Sequence, residues 1–125
     1  MLETTVFSID NAHDFRTMAR FMRFVDTHRA MGDFKGTVLS CIGEYKGVLE
    51  PSFMMLTIDY DKYIKGSGYV DNQESVLKIP GDDRQPCHLE FKDGSHVILS
   101  KSKLGKGKYG WTYILSENKY FHCEA

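Results

Sequence analysis

A single helical stripe, followed by a long series of strand and turn signals, constrains this chain more than any other feature. From Ala12 to about Ala30 the apolar residues Phe15, Met18, Ala19, Met22 and Val25 recur at three- and four-residue spacing. That spacing is one face of an amphipathic helix. Arg16, Arg20, Arg23 and His28 fall largely off the face. Asp10 or Asn11 is placed to cap the first turn, and Gly32 to stop the last. No second long helical pattern follows.

Strand signals take over after Gly32. Val6 to Ile9 already alternates as a short first strand, and Thr37 to Ile42 is β-branched and apolar. Glu44-Tyr45-Lys46-Gly47 reads as a tight connection to a second strand, Phe53 to Tyr60, so the two should pair as an antiparallel hairpin. Asp61 to Asp71 has room for a short helix, weakened by Gly66 and Gly68. Ser75 to Ile79 ends at the turn Pro80-Gly81-Asp82-Asp83. Cys87 to Phe91 and His96 to Ser100 flank Lys92-Asp93-Gly94-Ser95, whose Asp-Gly favours a hairpin turn. The glycine- and lysine-rich segment 101–108 leads to a strand from Tyr109 to Leu115, and Tyr120-Phe121-His122 adds a short edge. These elements predict one α+β domain over residues 1–125, a mainly antiparallel sheet with one long N-terminal helix packed on it.

Composition excludes some classes of function. With 125 residues there is no room for a second core. The net charge of -1 lacks the basic excess that a nucleic-acid or anionic-membrane binder needs, so neither partner is expected. No segment approaches the ~20 consecutive apolar residues of a membrane span, and the first residues, Met1-Leu2-Glu3-Thr4-Thr5, lack a basic-then-apolar signal pattern. Cys41, Cys87 and Cys123 are odd in number and form no C-x-x-C pair, which reads as reduced thiols in a cytoplasmic protein.

Glu50 is the first residue to question. It stands before Pro51 and the apolar run Phe53-Met54-Met55-Leu56, where a carboxylate is costly without a partner or a task. Both readings stay open: a functional carboxylate, or a solvated charge at a strand end. Tyr45 is open in the same way, a turn aromatic being more often packing than catalysis. Gln73 and Glu74 are either site residues or a polar start to the strand that follows them. Ser52 has no adjacent base and no G-x-S-x-G context, so it is not read as a nucleophile. His13, His28, His88, His96 and His122 show no i,i+4 pair and no H-E-x-x-H pattern, and a site from Cys87-His88 with His122-Cys123 has no spacing argument behind it. No metal or cofactor is expected. Segment 101–108 lacks the order of a phosphate-binding loop and reads as a hairpin tip.

Taken together, Gly43, Tyr45, Lys46, Glu50, Gln73, Glu74, Val76 and Leu77 form a pattern: a Gly-x-Tyr-Lys turn, a Glu ahead of the next strand, then Gln-Glu-x-Val-Leu. That pattern resembles the phage-encoded S-adenosylmethionine lyases, formerly called hydrolases, over roughly residues 37–80. The resemblance implies a PII-like, ferredoxin-like α+β subunit, assembled as a homotrimer with sites between subunits. It implies cleavage of S-adenosylmethionine to 5′-methylthioadenosine and L-homoserine lactone without a cofactor, countering host restriction that depends on the methyl donor, in the host cell cytoplasm. Glu50 and Tyr45 would be its catalytic positions, and Gln73, Glu74 and Ser52 its substrate-binding ones. Two other classes fit the chain: a non-catalytic PII-like module that sequesters a nucleotide, and a protein inhibitor of a host defence enzyme that uses Tyr109, Trp111 and Tyr113 as its contact surface.

Overall fold

The computed structural model describes residues 3–45, 47–56, 58–82, 84–102, 110–114 and 119–124. In chain order the elements are β1 (Glu3–Ser8), α1 (Phe15–Ala30), β2 (Thr37–Tyr45), β3 (Val48–Leu56), α2 (Tyr60–Tyr63), β4 (Ser75–Pro80), β5 (Cys87–Phe91), β6 (His96–Ser102), β7 (Gly110–Ile114) and β8 (Lys119–Glu124). The class is α+β with a mainly antiparallel sheet. The eight strands close into a barrel in the order β1-β3-β2-β7-β8-β6-β5-β4. Every pairing among the described residues is antiparallel.

This closure corrects the PII-like, ferredoxin-like expectation. That layout is a β-α-β-β-α-β chain whose helices cross over a sheet. Here β2–β3, β4–β5, β5–β6 and β7–β8 are neighbours in both chain and sheet, so they need no crossover. Among the described residues, closure leaves no strand at an open sheet edge.

Helix α1 starts at Phe15, three residues later than the sequence pattern suggests. Asp14 is its N-cap, accepting from the backbone N–H groups of Arg16 at 2.8 Å and Thr17 at 3.3 Å. Asn11 adopts a positive φ of 56°, and Asp10 is engaged elsewhere. At the other end Gly32, at φ 81°, provides the left-handed residue that ends the helix, and its N–H reaches Arg29 O. The buried face is also rotated from the expected stripe. Phe21 and Val25 are the buried positions, with Met18 and Phe24 packed beside them. Phe15 is 85% exposed and Met22 37%. The two phenyl rings at 21 and 24 outweigh Ala19 and Met22, so the bulkier aromatic stripe turns inward.

The helix lies on the outer wall of the barrel. Phe21 packs with ring centroids 6.0 Å from Phe7 of β1 and 4.7 Å from Phe53 of β3. Because α1 covers that wall, β1 and β3 are buried on both faces. Thr5 to Ile9 and Ser52 to Met55 are therefore continuous buried runs and do not alternate. The inner face holds a second apolar cluster of Val6, Cys41, Met54, Ile79, Cys87, Leu89 and Leu99. The expected helix over 61–71 shrinks to the single turn α2, whose N-cap Asp59 accepts from Lys62 N at 3.1 Å. No helix among the described residues is long and apolar enough to cross a membrane.

Candidate functional site at the rim of the barrel

Glu50 and Pro51 lie inside β3, which begins at Val48 instead of Phe53. The strand tolerates Pro51 because the β1–β3 ladder stops one pair earlier, at Ser8↔Ser52, so no strand partner on that side needs its missing N–H. Tyr45 likewise belongs to β2, where it pairs with Val48, and the turn contracts around Gly47 at φ 87°. The Glu44 carboxylate closes that turn by accepting from Gly47 N. Lys46 lies outside the described residues.

Strand alternation makes the inside of the barrel change character toward this rim. Val6 and Met54 pair in the apolar interior. One step along the same face come Ser8 and Ser52, both buried and paired with each other. Their hydroxyls donate to backbone carbonyls, Ser8 Oγ to Pro51 O at 2.7 Å and Ser52 Oγ to Glu50 O at 3.1 Å. One step further, Glu50 is half-buried and pairs with Gly43. A Cβ at Gly43 would stand 3.0 Å from Ser52 Oγ, so glycine leaves the room this tier needs. Small hydroxylated and glycine positions thus surround a rim carboxylate, above a floor of Met, Val and Leu.

Gln73 and Glu74 reach the same rim from the opposite side of β1. The β1–β4 ladder pairs Val6 with Leu77, and the same register carried four residues further would set Gln73 level with Asp10. Gln73 Nε2 donates to Asp10 Oδ1 at 2.9 Å, and Asn72 donates to Oδ2 through its backbone N at 3.0 Å and its Nδ2 at 3.3 Å. Asp10 N in turn donates to Tyr69 O at 2.8 Å. Gln73 is therefore a latch that fastens the 69–73 segment to the end of β1. Glu74 is exposed, and its carbonyl accepts from Lys92 N at 2.9 Å.

Gln73, Glu74 and Ser75 border a cleft of about 460 Å³ whose wall also holds Tyr60, Val70, Val76 and Phe91. Its charged residues are Asp61, Asp71, Glu74 and Glu90 against Lys65 and Lys92, four carboxylates facing two ammonium groups. Such a balance favours a cationic ligand. Glu50 and Ser52 are not part of its wall. The predicted site residues therefore separate into two groups. Asp10, Tyr60, Asp61, Asp71, Glu90 and Lys92 carried no signal in the sequence beyond ordinary surface charge, and Asp10 read as a helix cap. Residues 103–109, which include most of the lysine-glycine segment and Tyr109, lie outside the described residues. Trp111 and Tyr113 are placed by backbone register alone, opposite Glu44 and Ile42.

Two buried groups in this region titrate abnormally. Burial inside the barrel pushes the Cys41 thiol from 9.0 up to about 12. Burial, and then the charges of Asp61, Glu90 and Asp10, push the Tyr60 phenol well above its ordinary 10.0. The Lys78 ammonium sits 5.0 Å from the centre of that ring, 3.8 Å from Glu3 and 3.9 Å from Asp61. Raised folded-state values mean stability that is complete below the unfolded-state pKa and lost above it. The urea midpoint is therefore expected to fall as pH rises from about 9 towards 12, first through Cys41 and then through Tyr60. A midpoint that stays level from pH 8 to 11 would contradict this placement of both groups.

No family model matches the chain, and no curated protein matches it.

Proposed function

We propose that this chain binds S-adenosylmethionine at the rim of the barrel and cleaves it to 5′-methylthioadenosine and L-homoserine lactone. The observation that carries the reading is the acidic, aromatic-walled cleft bordered by Gln73 and Glu74, at the same end of the barrel as the half-buried Glu50. The substrate carries a sulfonium and an ammonium, and four carboxylates with two aromatic rings suit both cations. In the reaction the substrate carboxylate oxygen forms a bond to its own γ-carbon. The carbon–sulfur bond breaks, and its electron pair stays on sulfur as the neutral thioether.

Opposite charges merge in that step, so a site that holds the folded conformer away from bulk water accelerates it without a general base. Glu50 is assigned to hold the substrate ammonium or ribose hydroxyls. Ser52 sets the backbone carbonyl of Glu50, Glu74 faces the cation, and Gln73 keeps the cleft wall in place. Tyr45 is assigned to the sulfonium. Assembly as a homotrimer with sites between subunits belongs to the same proposal. The hairpin tip beside Glu50, with Val48 58% and Leu49 56% exposed, is the apolar surface such an assembly would cover.

A second reading has its own support. An eight-stranded barrel is wide enough to hold one small ligand, and Ser8, Ser52 and Gly43 line its rim with hydroxyls and a glycine. That lining suits a module that sequesters an adenosyl compound without turnover. Incubating the purified chain with S-adenosylmethionine and following products by mass spectrometry separates the two. Methylthioadenosine with homoserine lactone is the expected outcome. Homoserine formed first would mean hydrolysis by water, stoichiometric binding without product would mean sequestration, and neither binding nor product would end both readings.

A further inference from the structure

The outer face of β5 and β6 carries a constellation that the rim does not explain and that shares only Glu90 with the cleft. His88 and Glu90 alternate along β5 with Cys87 and Leu89, which are buried at 0% and 6% inside the barrel. Period-two alternation therefore places the imidazole and the carboxylate side by side on the outer surface. Across the ladder Glu90 pairs with His96, and His88 with Ile98. Opposed side chains on one face of an antiparallel pair have Cβ atoms about 4.5–5.5 Å apart.

The turn that joins the strands makes this register firm. Gly94 takes φ 88°, Gly94 N donates to Phe91 O at 2.9 Å, and Phe91 N donates to Ser95 O at 2.8 Å. Asp93 fixes the same turn by accepting from Ser95 N at 2.9 Å and Ser95 Oγ at 2.6 Å. As a result, one donor atom from each of His88, Glu90 and His96 lies within 4.8 Å of the others. The two imidazole rings meet edge to face with centroids 5.3 Å apart.

We infer that His88, Glu90 and His96 form a binding site for a divalent transition-metal ion of the zinc type. Two imidazoles and a carboxylate are a borderline donor set that suits Zn²⁺, Co²⁺, Ni²⁺ or Cu²⁺ and disfavours the hard, oxygen-seeking Mg²⁺ and Ca²⁺. Ligand bonds of about 2.0–2.2 Å in a tetrahedron require donors roughly 3.4 Å apart. Side-chain rotation of the exposed His96 supplies that closure while the strands stay in place. Lys78 is the cation nearest by register, opposite His88, but its ammonium is drawn toward Asp61, Glu3 and the Tyr60 ring. Three protein ligands leave a coordination position open to water or to an added donor. Glu90 also borders the acidic cleft, so a bound ion would stand at its outer wall and tie β5 to β6 there.

Helical spacing is the wrong test for this trio. The sequence order is His-x-Glu, a turn, then His, and only strand pairing brings the ends together. The site rests on hairpin geometry alone, so failure of the S-adenosylmethionine reading leaves it standing.

The test uses the full, untagged chain, stripped of metal with a chelator and dialysed. Calorimetric titration with Zn²⁺ is expected to show one equivalent bound, and Co²⁺ to give the visible absorption of a low-coordinate site. A melting temperature that rises with Zn²⁺ and falls back on adding chelator is the independent readout. His88→Asn, Glu90→Gln and His96→Asn should each weaken Zn²⁺ binding at least ten-fold. His13→Ala should leave it unchanged. Metal-free melting that matches the parent chain identifies variants that remain folded, and His96, being exposed, is the safest of the three. A parent chain that takes up no Zn²⁺, or an affinity that a folded variant at any of the three positions leaves unchanged, overturns the inference.

Discussion

Glu50→Gln is expected to lower methylthioadenosine formation by roughly a hundred-fold or more, with little change in stability. The substitution keeps the size of the side chain and removes only its charge. Glu50 is half-buried at the rim, where its backbone is held by pairing with Gly43 and by the Ser52 hydroxyl. A change there should stay within about 0.5 kcal/mol in urea unfolding. Turnover measured with S-adenosylmethionine, alongside the unfolding midpoint, reads both quantities. A Gln variant with full turnover would remove Glu50 from the reaction. Lost turnover with a collapsed midpoint would instead mark it as structural. Because Gln73 is already committed to Asp10, its replacement should act differently, loosening the 69–73 segment before it touches any bound molecule.

Phe21→Ala is expected to cost about 3–5 kcal/mol in equilibrium unfolding, the largest stability effect of any single substitution considered. Phe21 is 0% exposed and its ring meets Phe7, Phe24, Phe53 and Tyr69. It is the residue through which α1 is anchored to β1 and β3. Met22→Ala, at a site already 37% exposed, should cost under about 1 kcal/mol. The pair discriminates between the two helix faces. If the stripe suggested by Phe15, Met18, Ala19, Met22 and Val25 faced the barrel, Met22 would be the costlier loss and Phe21 the cheaper.

Much of the local structure is legible in the sequence because it depends on contacts a few residues long. The helix over the teens and twenties follows from its three- and four-residue period, although the period alone did not decide which of two overlapping stripes turned inward. Gly32, Gly47 and Gly94 mark the helix stop and two hairpin turns because each takes a positive φ that side chains resist. The unbroken apolar run from Phe53 to Leu56 reads as a strand, and its lack of alternation reflects burial on both faces.

The site was less legible. Asp10 looked like a helix cap because Asx residues before a helical pattern usually are, but a chain separation of 63 residues brings Gln73 to it instead. Glu50 and Pro51 looked like a prelude to a strand, because proline weakens that reading, but the β1–β3 ladder ends before Pro51, so its missing N–H costs no bond on the β1 side.

By itself the sequence determined the α+β class, the long helix near the N-terminus, several of the turns, the runs of buried strand and the lack of net basic charge. Only the tertiary structure decided that the sheet closes into a barrel, which residues meet at its rim, and that His88, Glu90 and His96 share one outer face. Periods and turn residues act through neighbouring backbone angles, so they are written locally. Closure, register and the meeting of charges depend on which distant strands pair, and that is settled by burying both faces of β1 and β3 at once.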